Sequence, residues 1–396
     1  MRFTDVVIPL RAAWSSPFVR WQGPTADLSS LDLAARVTRR ALDDRGVEWP
    51  ITELVLGMTI PQRECFYGAP TVAARLGLSG VSGPMIAQAC ATSVAALHAA
   101  ATSQSVEDGA GARLVVTTDR TSNGPHLVYP RTAGPGGTVD SENWVLDAFG
   151  RDPNTGEGML ATAERVAADG GFSKQELDEL TAVRYRQYGD SLARERAFQR
   201  KWMVPIEAGS ARRPELIEDD WGVRPTTLAE LEALRPVDPD GVVSFGTQTH
   251  PADGTAGFIL TSSTVARERG VSGPLAKIVS TGFARVAPGT MPKAPVPAAR
   301  VALDAAGIDF PGVDVIKTHN PFAVNDLWFA RETGVDAERM NPYGCSLVYG
   351  HPQGPTGARA IIELMHVLEE RGGGIGLFTG CAAGDTGAAV VLEVSE

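Results

Sequence analysis

The chain repeats part of itself at a separation of 261 residues, with Gly46 corresponding to Gly307. The segment Ala-Leu-Asp-Asp-Arg-Gly-Val-Glu-Trp-Pro at 41–50 matches Ala-Leu-Asp-Ala-Ala-Gly-Ile-Asp-Phe-Pro at 302–311, and the register continues without a gap through 53–55 and 314–316. Self-similarity over this distance indicates two copies of one folding unit. A chain of 396 residues has room for both copies and for a segment between them.

Each copy alternates short apolar runs with helical patterns. In the first copy, Ser29 precedes a helix predicted to run to about Asp44, and Gly46 ends it. The runs at 54–58 and 113–118 are predicted to be strands. Because strands alternate with helices, the pattern predicts an α/β fold with a largely parallel sheet.

Cys90 lies where an apolar run ends and an Ala-rich helical pattern begins. A thiol at a helix N-terminus faces the positive end of the helix dipole, which favours the nucleophilic thiolate. Cys90 is therefore the candidate nucleophile. The alternative is a small, buried and unreactive cysteine.

The separation of 261 residues carries Cys90 onto His351, in Gly-His-Pro at 350–352. In α/β units ligands gather at the carboxyl ends of strands, so a pseudo-twofold arrangement would bring these two turns together. His351 could then take the proton of Cys90, because the pKa of imidazole lies near neutrality. The alternative is a structural histidine in a turn before proline.

Two further side chains follow predicted strands. Cys381 could act as an acid or base, or it could be a buried inert thiol. His319 could donate to an oxyanion, or it could belong to an Asn-Pro turn. No metal site is expected, because Cys90, His319, His351 and Cys381 are each isolated in the sequence. Papain-type hydrolysis remains open for the Cys/His pair, although the local signature of those proteases is absent.

Charge and cysteine content narrow the classes of function. The formal charge of −11 argues against bulk binding of nucleic acid. We expect no membrane association, because no apolar run reaches transmembrane length and the first residues do not resemble a signal peptide. The four cysteines have no short metal-type spacing and fit a reducing compartment, so a cytoplasmic enzyme is predicted.

The stretch at 119–242 interrupts the repeat and is predicted to be an insertion that covers the mouth of the site. It is rich in Gly, Pro and Asn at 121–158, including Gly-Pro-Gly-Gly at 134–137, and becomes polar and helical at about 159–200.

Residues 184–213 hold eight Lys or Arg against three Asp or Glu. This is either a solvated helix face or a patch that attracts a polyanion such as a nucleotide or coenzyme A.

The ordered motifs resemble those of the thiolase family over nearly the whole chain. Cys-Ala-Thr-Ser at 90–93 resembles the family's nucleophile motif, Gly-His-Pro at 350–352 its histidine motif, and Gly-Cys at 380–381 the place of its second cysteine. The resemblance implies a duplicated, layered αβαβα fold with an inserted loop domain that binds coenzyme A. The expected parts are an N-terminal half (1–118), the inserted domain (119–242), a return to the N-terminal half (243–267) and a C-terminal half (268–396).

The resemblance also implies a chemistry, which is acyl transfer through a thioester on Cys90. Such a protein either cleaves a 3-oxoacyl-CoA by thiolysis or condenses acyl-CoAs in a Claisen reaction. His351 would activate Cys90, and Cys381 would exchange a proton with the incoming thiol or the α-carbon. His319 and His351 would hold the thioester oxygen in one oxyanion hole, while the backbone amides of Cys90 and Ala383 would form the other.

The ligands and assembly expected from the resemblance complete the prediction. Acyl-CoA and CoA would be the partners, with coenzyme A as substrate and product and no permanently bound cofactor. Contacts to substrate or coenzyme A are expected at Thr249, Met159, Phe322 and Ala383, with Met159 forming a wall of the acyl pocket. A homodimer or homotetramer is implied.

Two departures from the family pattern keep a second hypothesis open. The family's Asn-Glu-Ala-Phe is His-Asn-Pro-Phe at 319–322, and its Cys-x-Gly is Cys-Ala-Ala at 381–383. A non-catalytic acyl-CoA-binding or partner subunit with the same fold is therefore the alternative. A ketosynthase-like condensing enzyme is disfavoured by Cys381, because those relatives usually have histidine there.

Overall fold

The computed structural model describes residues 1–46, 48–106, 111–133, 137–210 and 213–395. Its strands are β1 (Val7–Pro9), β2 (Ala13–Ser15), β3 (Val19–Arg20), β4 (Ile51–Gly57), β5 (Met85–Ile86), β6 (Ala112–Arg120), β7 (His126–Pro130), β8 (Val139–Asn143), β9 (Ile206–Ser210), β10 (Arg213–Ile217), β11 (Ala252–Leu260), β12 (Leu275–Arg285), β13 (Val315–His319), β14 (Gly374–Ala382) and β15 (Thr386–Ser395). Its helices are α1 (Ser30–Arg45), α2 (Ala69–Leu76), α3 (Thr92–Val106), α4 (Leu146–Gly150), α5 (Met159–Gly170), α6 (Lys174–Ser191), α7 (Ala193–Arg196), α8 (Leu228–Glu232), α9 (Ser263–Glu268), α10 (Pro295–Ala306), α11 (Ala323–Thr333), α12 (Ser346–Tyr349) and α13 (Pro355–Glu370). Short 3-10 turns lie at Leu10–Ala12, Cys65–Tyr67, Gln199–Lys201, Met291–Lys293, Phe310–Gly312 and Ala337–Arg339.

Two sheets repeat one pairing pattern. In the N-terminal sheet β4 runs parallel to β6, which pairs antiparallel with β11, which pairs antiparallel with β2. In the C-terminal sheet β13 runs parallel to β14, which pairs antiparallel with β15, which pairs antiparallel with β12. The separation of 261 residues aligns β4 with β13 and β6 with β14, so the structure carries the duplication that the sequence predicts.

The expectation of largely parallel sheets is wrong. Parallel pairing is confined, among the described strands, to β4 with β5 and β6 and to β13 with β14. A parallel crossover needs a dozen or more residues. β14 and β15 are joined by residues 383–385 alone, and that short turn forces an antiparallel hairpin. Each sheet is therefore mixed.

The helices and sheets form the predicted layers. Helix α3 contacts β4 and β6 of one sheet and β12 and β15 of the other, and α13 also contacts strands of both sheets. Residues 355–368 of α13 are all buried, as expected for a helix enclosed on every side. Helices α1 and α10 cover the outer faces of the two sheets. The αβαβα fold class is thereby confirmed.

Helix α1 shows why these segments fold as the sequence predicts. Ser29 caps its N-terminus by accepting a hydrogen bond from the backbone N–H of Leu31. Gly46 follows its last turn with a φ of 63°, a conformation that glycine adopts without strain.

The polypeptide between β6 and β11 contributes two hairpins, β7–β8 and β9–β10, and helices α4 to α8. The domain boundaries proposed above stay a prediction. A buried ion pair fastens α6 of this segment to α11 of the C-terminal half, with Arg184 Nη2 2.8 Å from Asp326 Oδ2. A second joins Asp220 to Arg359 on α13, at 2.6 Å.

Several of the described basic residues between 184 and 201 are engaged in ion pairs. Arg184 is buried in its pair with Asp326, Arg196 pairs with Asp219, and Lys201 pairs with two glutamates at the end of α13. Arg184, Arg196 and Lys201 are therefore each neutralised by an acidic side chain of the protein itself. Arg212, like Gly134, Pro135 and Gly136 of the glycine-rich run, lies outside the described residues.

Among the described residues, the helices are all too short or too polar to cross a bilayer.

Candidate active site

Cys90 lies in a tight turn between β5 and α3. Ala89 has a φ of 43°, unusual for a residue with a Cβ, and this turn presents the Cys90 side chain at the start of the helix. The hydroxyl of Thr92 accepts a hydrogen bond from the backbone N–H of Gln88 at 2.8 Å and donates to the carbonyl of Ala89 at 2.7 Å. The side chain of Thr92 thus fixes the turn that carries the thiol.

His351 reaches Cys90 from the equivalent turn of the C-terminal half. Its Nε2 lies 3.1 Å from Cys90 Sγ, within hydrogen-bonding distance. Its Nδ1 lies 2.6 Å from Thr356 Oγ1, in the first turn of α13. If Nδ1–H donates to that hydroxyl, Nε2 has its lone pair free to accept the thiol proton. The structure therefore brings together the two residues that the repeat places in corresponding positions.

His319 lies beside His351 at the end of β13, with ring centroids 4.1 Å apart. Its Nδ1 is 2.9 Å from Ser346 Oγ, which lies 3.3 Å from Asn320 Oδ1. The amide nitrogen of Asn320 donates to Asp326 Oδ2 at 2.6 Å. A buried chain of hydrogen bonds therefore links the His319 ring to the carboxylate that pairs with Arg184.

Cys381 is buried in β14 and accepts a hydrogen bond from Asn325 Nδ2 at 3.2 Å. Burial raises the pKa of this thiol well above its usual range, and negative charge on Cys90 would raise it further. The backbone N–H of Ala383 donates to Cys90 and lowers the pKa of that thiol. An amide donor and two imidazoles thus surround the sulfur of Cys90.

Burial is the largest influence on the pKa values of this site. It raises the pKa of Cys90 to about 12 and outweighs the amides that lower it. Burial also lowers the pKa of His351 well below its usual range and that of His319 to about 3. The substrate-free site at neutral pH therefore holds a thiol and two neutral imidazoles. The direction of the Cys90 pKa shift runs against the sequence expectation of a thiolate favoured at the helix N-terminus.

We predict that alkylation of substrate-free Cys90 by iodoacetamide rises about tenfold per pH unit from pH 7 to 9, because only the thiolate reacts and its fraction grows with pH. The rate is measured by mass spectrometry on the peptide that contains Cys90. A rate that levels off below pH 8 would show a preformed thiolate–imidazolium pair and contradict this picture.

A cavity of about 510 Å³ opens onto Cys90. Thr249, Met159, Phe322 and Ala383, the four predicted contact residues, all line it together with Cys90 and His351. The remaining lining residues are mostly apolar: Ile60, Ala87, Ala89, Trp144, Val145, Ala148, Phe149, Leu160, Pro251, Met291 and Pro321, with the polar Thr59, Gln248 and Gln353. Since the described lining contains neither Lys nor Arg, an uncharged apolar group fits this cavity.

The structure adds polar partners that sequence reasoning missed. Gln353 Oε1 lies 3.3 Å from Cys90 Sγ and also raises the pKa of His351 through a hydrogen bond. Its position directly after the Gly-His-Pro segment at 350–352 was an available signal. Ser346, Thr356 and Asn325 reach the reactive side chains only through the fold, and no local pattern marks them.

One ligand atom from each of Cys90, His319 and His351 lies within 4.8 Å of the other two. The sequence spacing could not show this cluster, because each residue comes from a different element. The arrangement offers a nucleophile with a base at hydrogen-bonding distance and donors nearby, as covalent acyl transfer requires.

Comparison with known proteins agrees with this geometry. The family model described as "Thiolase, N-terminal domain" matches residues 8–264, and that described as "Thiolase, C-terminal domain" matches residues 272–394. An acetyl-CoA acetyltransferase of Pseudomonas aeruginosa is 32% identical over 98% of this chain and 99% of its own. One of Escherichia coli is 28% identical over 99% of each chain.

Solved structures of thiolases and acetyl-CoA acetyltransferases have the same fold as this chain. The crystal structure of the Bacillus anthracis acetyl-CoA acetyltransferase superimposes with a TM-score of 0.90 at 27% identity, covering 99% of both chains. Human mitochondrial 3-ketoacyl-CoA thiolase in complex with CoA has the same fold, with a TM-score of 0.90 at 24% identity over the full length of both chains. Since the two domain models cover nearly every residue and the duplicated fold is shared, this chain belongs to the thiolase family.

Proposed function

We propose that this protein is a CoA-dependent acyltransferase of thiolase type that works through an acyl-Cys90 thioester. It cleaves 3-oxoacyl-CoA by thiolysis or condenses acyl-CoAs in the reverse, Claisen direction. The observation that carries the proposal is the 3.1 Å approach of His351 Nε2 to Cys90 Sγ at a largely apolar cavity. Thiolase-type acyl transfer also accords with the family and with the names of its relatives.

The first half-reaction breaks a carbon–carbon bond. His351 takes the proton of Cys90 as the sulfur attacks the 3-oxo carbon. The bond between C2 and C3 then breaks, and its electron pair stays on C2 as an acetyl-CoA enolate. Cys381, a thiol whose raised pKa keeps it protonated, gives its proton to C2. The acyl group remains on Cys90.

The second half-reaction returns the enzyme to its starting state. Cys381, now a thiolate, takes the proton of the CoA thiol, and the CoA sulfur attacks the acyl-Cys90 carbonyl. Cys90 leaves as a thiolate and recovers its proton from His351. The backbone amides of Cys90 and Ala383 are placed to hold one oxyanion, and Nε2 of His351 and His319 the other.

Ser346 allows His319 to serve as such a donor. When Nε2 carries the proton, Nδ1 must accept, and the hydroxyl of Ser346 at 2.9 Å then turns from Asn320 Oδ1 to donate to it. Because both residues are buried, removing the hydroxyl would leave the ring nitrogen unpaired. Ser346 is therefore a positioning residue for His319.

Ser346→Ala is expected to lower kcat about tenfold and to leave KM within about twofold, because a lost neutral hydrogen bond costs on the order of 1 kcal/mol and acts through His319. The measurement is steady-state thiolysis of acetoacetyl-CoA. Ser105→Ala is the control, since that hydroxyl donates to the Ala101 carbonyl on α3. A raised KM with normal kcat would contradict the assigned role.

Coenzyme A is proposed as substrate and product rather than as a resident cofactor. Thr249, Met159, Phe322 and Ala383 would contact the acyl and pantetheine parts, because they line the cavity that reaches Cys90. The inserted segment 119–242 would supply further contacts, since Trp144, Phe149 and Met159 of this segment already form part of the cavity wall.

A homodimer or homotetramer is proposed through the free edge of the N-terminal sheet. The short strand β5 lies at that edge, next to the turn that carries Cys90. Phe66, Tyr67 and Met85 are 87%, 73% and 44% exposed there, and exposed apolar side chains beside an open edge mark an interface. The four cysteines are free, which supports a reducing compartment, and we propose that this compartment is the cytoplasm.

The function is tested by incubating the purified chain with acetoacetyl-CoA and CoA and quantifying acetyl-CoA by chromatography. The proposal predicts two molecules of acetyl-CoA for each acetoacetyl-CoA consumed, and loss of this activity in His351→Ala. If a panel of 3-oxoacyl-CoAs binds but yields no product, the protein is instead a non-catalytic acyl-CoA-binding subunit.

A further inference from the structure

Three side chains capable of ligating a metal converge from three separate elements of the fold. Cys90 comes from the turn before α3, His319 from the end of β13 and His351 from the turn before α13. Their ligand atoms lie within 4.8 Å of one another, and Cys90 Sγ is 3.1 Å from His351 Nε2. One sulfur and two imidazole nitrogens form a donor set that suits zinc.

His319 Nε2 is a buried polar atom without a hydrogen-bond partner among the described residues. The residue is only 1% exposed, so water does not compensate freely for the missing partner. Leaving a buried acceptor or donor unpaired costs on the order of 1–3 kcal/mol. Such an atom next to a thiol and a second imidazole points to a ligand that the protein can receive there.

The hydrogen bonds behind both imidazoles orient them for metal ligation. His351 Nδ1 contacts Thr356 Oγ1 at 2.6 Å, and His319 Nδ1 contacts Ser346 Oγ at 2.9 Å. With the proton on Nδ1, each ring donates to a hydroxyl and presents the lone pair of Nε2 towards Cys90. Ligating histidines in metal sites are held by such partners.

The surroundings of Ser346 favour this tautomer of His319 in the free protein. Asn320 Nδ2 donates to Asp326, which fixes the orientation of the amide and places its acceptor Oδ1 3.3 Å from Ser346 Oγ. If Ser346 donates its proton to Asn320 Oδ1, Ser346 Oγ can accept from His319 Nδ1–H. Asn320 Oδ1, Ser346 Oγ and His319 Nδ1 then all have hydrogen-bond partners, and His319 Nε2 alone among these atoms has none. If the serine proton goes to His319, Asn320 Oδ1 loses its donor as well.

We propose that Cys90, His319 and His351 form a binding site for Zn²⁺, with the fourth coordination position open to the cavity for water or a thiol. On binding, the Cys90 S–H bond breaks, its proton leaves to solvent, and the sulfur bonds to the metal without any change of oxidation state. Because the metal occupies the sulfur that must be acylated, the loaded protein is reversibly inactive. This last consequence rests on the proposed function, whereas binding itself does not.

The test is a titration of the chelator-treated full-length chain with Co²⁺, a spectroscopic substitute for Zn²⁺. One equivalent per chain is expected to give a thiolate-to-cobalt absorption band, which Zn²⁺ displaces and EDTA abolishes. Circular dichroism of every variant verifies the fold. Absence of the band in the wild-type chain would overturn the proposal.

Variants assign the ligands without using activity. Cys90→Ser is expected to remove the band, and His319→Asn to weaken binding more than Ser346→Ala, whose loss of a supporting hydrogen bond predicts about a 10–100-fold change. Cys65→Ser, which changes a cysteine outside the cluster, must bind like the wild type. Binding that depends on Cys65, or that survives both ligand variants, would overturn the assignment.

The proposed function and the metal site can fail separately. If the enzyme acylates, prior treatment with acetoacetyl-CoA should prevent formation of the cobalt band, because Cys90 is then a thioester. A band that forms in full on chains shown by mass to be acylated would overturn the site. A chain that never acylates but gives the band would overturn only the proposed function.

Discussion

Cys90→Ala is expected to lower kcat/KM for acetoacetyl-CoA thiolysis by at least about 10⁴-fold, because the variant cannot form the acyl intermediate. His351→Ala should cost a similar factor, since His351 Nε2, 3.1 Å from Cys90 Sγ, is the nearest acceptor for its proton. Burial raises the pKa of that thiol to about 12, so without a base very little thiolate exists at neutral pH.

The double variant separates a joint role from two independent ones. Residues that act as one unit are strongly non-additive, so Cys90→Ala with His351→Ala should be no slower than the slower single variant. Steady-state rates at saturating CoA provide the measurement. Losses that multiply in the double variant would show that His351 acts elsewhere than on Cys90.

Asp326→Ala is expected to lower the free energy of unfolding by about 3–5 kcal/mol, because it leaves a buried guanidinium without its partner. Asp326 accepts from both Nε and Nη2 of Arg184, and also from Asn320, Asn341 and Thr318. Both members of the Arg184–Asp326 pair are at most 1% exposed, so solvent cannot replace the lost contacts.

Denaturant titration of wild type and variant measures this loss. Asp140→Ala is the matched control, because Asp140 pairs with Arg131 on the surface, where both side chains are more than half exposed. Its transition midpoint should barely move, as ion pairs in water contribute little. A loss below about 1 kcal/mol for Asp326→Ala would show that the buried pair does not fasten the insertion to the C-terminal half.

Asp326 also bears on the departure from the family's Asn-Glu-Ala-Phe segment. The second place of that segment is acidic in the family and is Asn320 here. The amide of Asn320 donates to Asp326 at 2.6 Å, so a carboxylate lies next to this position all the same. The chain from Asp326 through Asn320 and Ser346 therefore supports His319, the residue that replaces the family's asparagine.

The sequence predicts the duplicated fold and the pairing of Cys90 with His351, because both follow from the same separation of 261 residues. The offset that aligns Gly46 with Gly307 also aligns Cys90 with His351, and the equivalent turns of two copies meet across a pseudo-twofold. Strand direction was predicted less well, because the pattern of apolar runs does not show that β15 returns through a three-residue turn.

The remaining features of the site depend on tertiary contacts. Ser346 and Asn325 hold His319 and Cys381 from other elements, so spacing along the chain does not mark them. The raised pKa of Cys90 follows from the desolvation of its thiol in the folded protein, which a helix N-terminus in the sequence does not show. The sequence also does not show the cluster of Cys90, His319 and His351, because the three residues come from different elements of the fold.

The most direct test of the account is the intact mass of the protein after brief exposure to acetoacetyl-CoA or acetyl-CoA, with Cys90→Ala treated alongside. The account predicts a gain of one acetyl group in the wild type and none in the variant, with the added mass lost again when CoA is supplied. An unmodified wild type that still binds CoA, or an equal gain in Cys90→Ala, would contradict acyl transfer through Cys90.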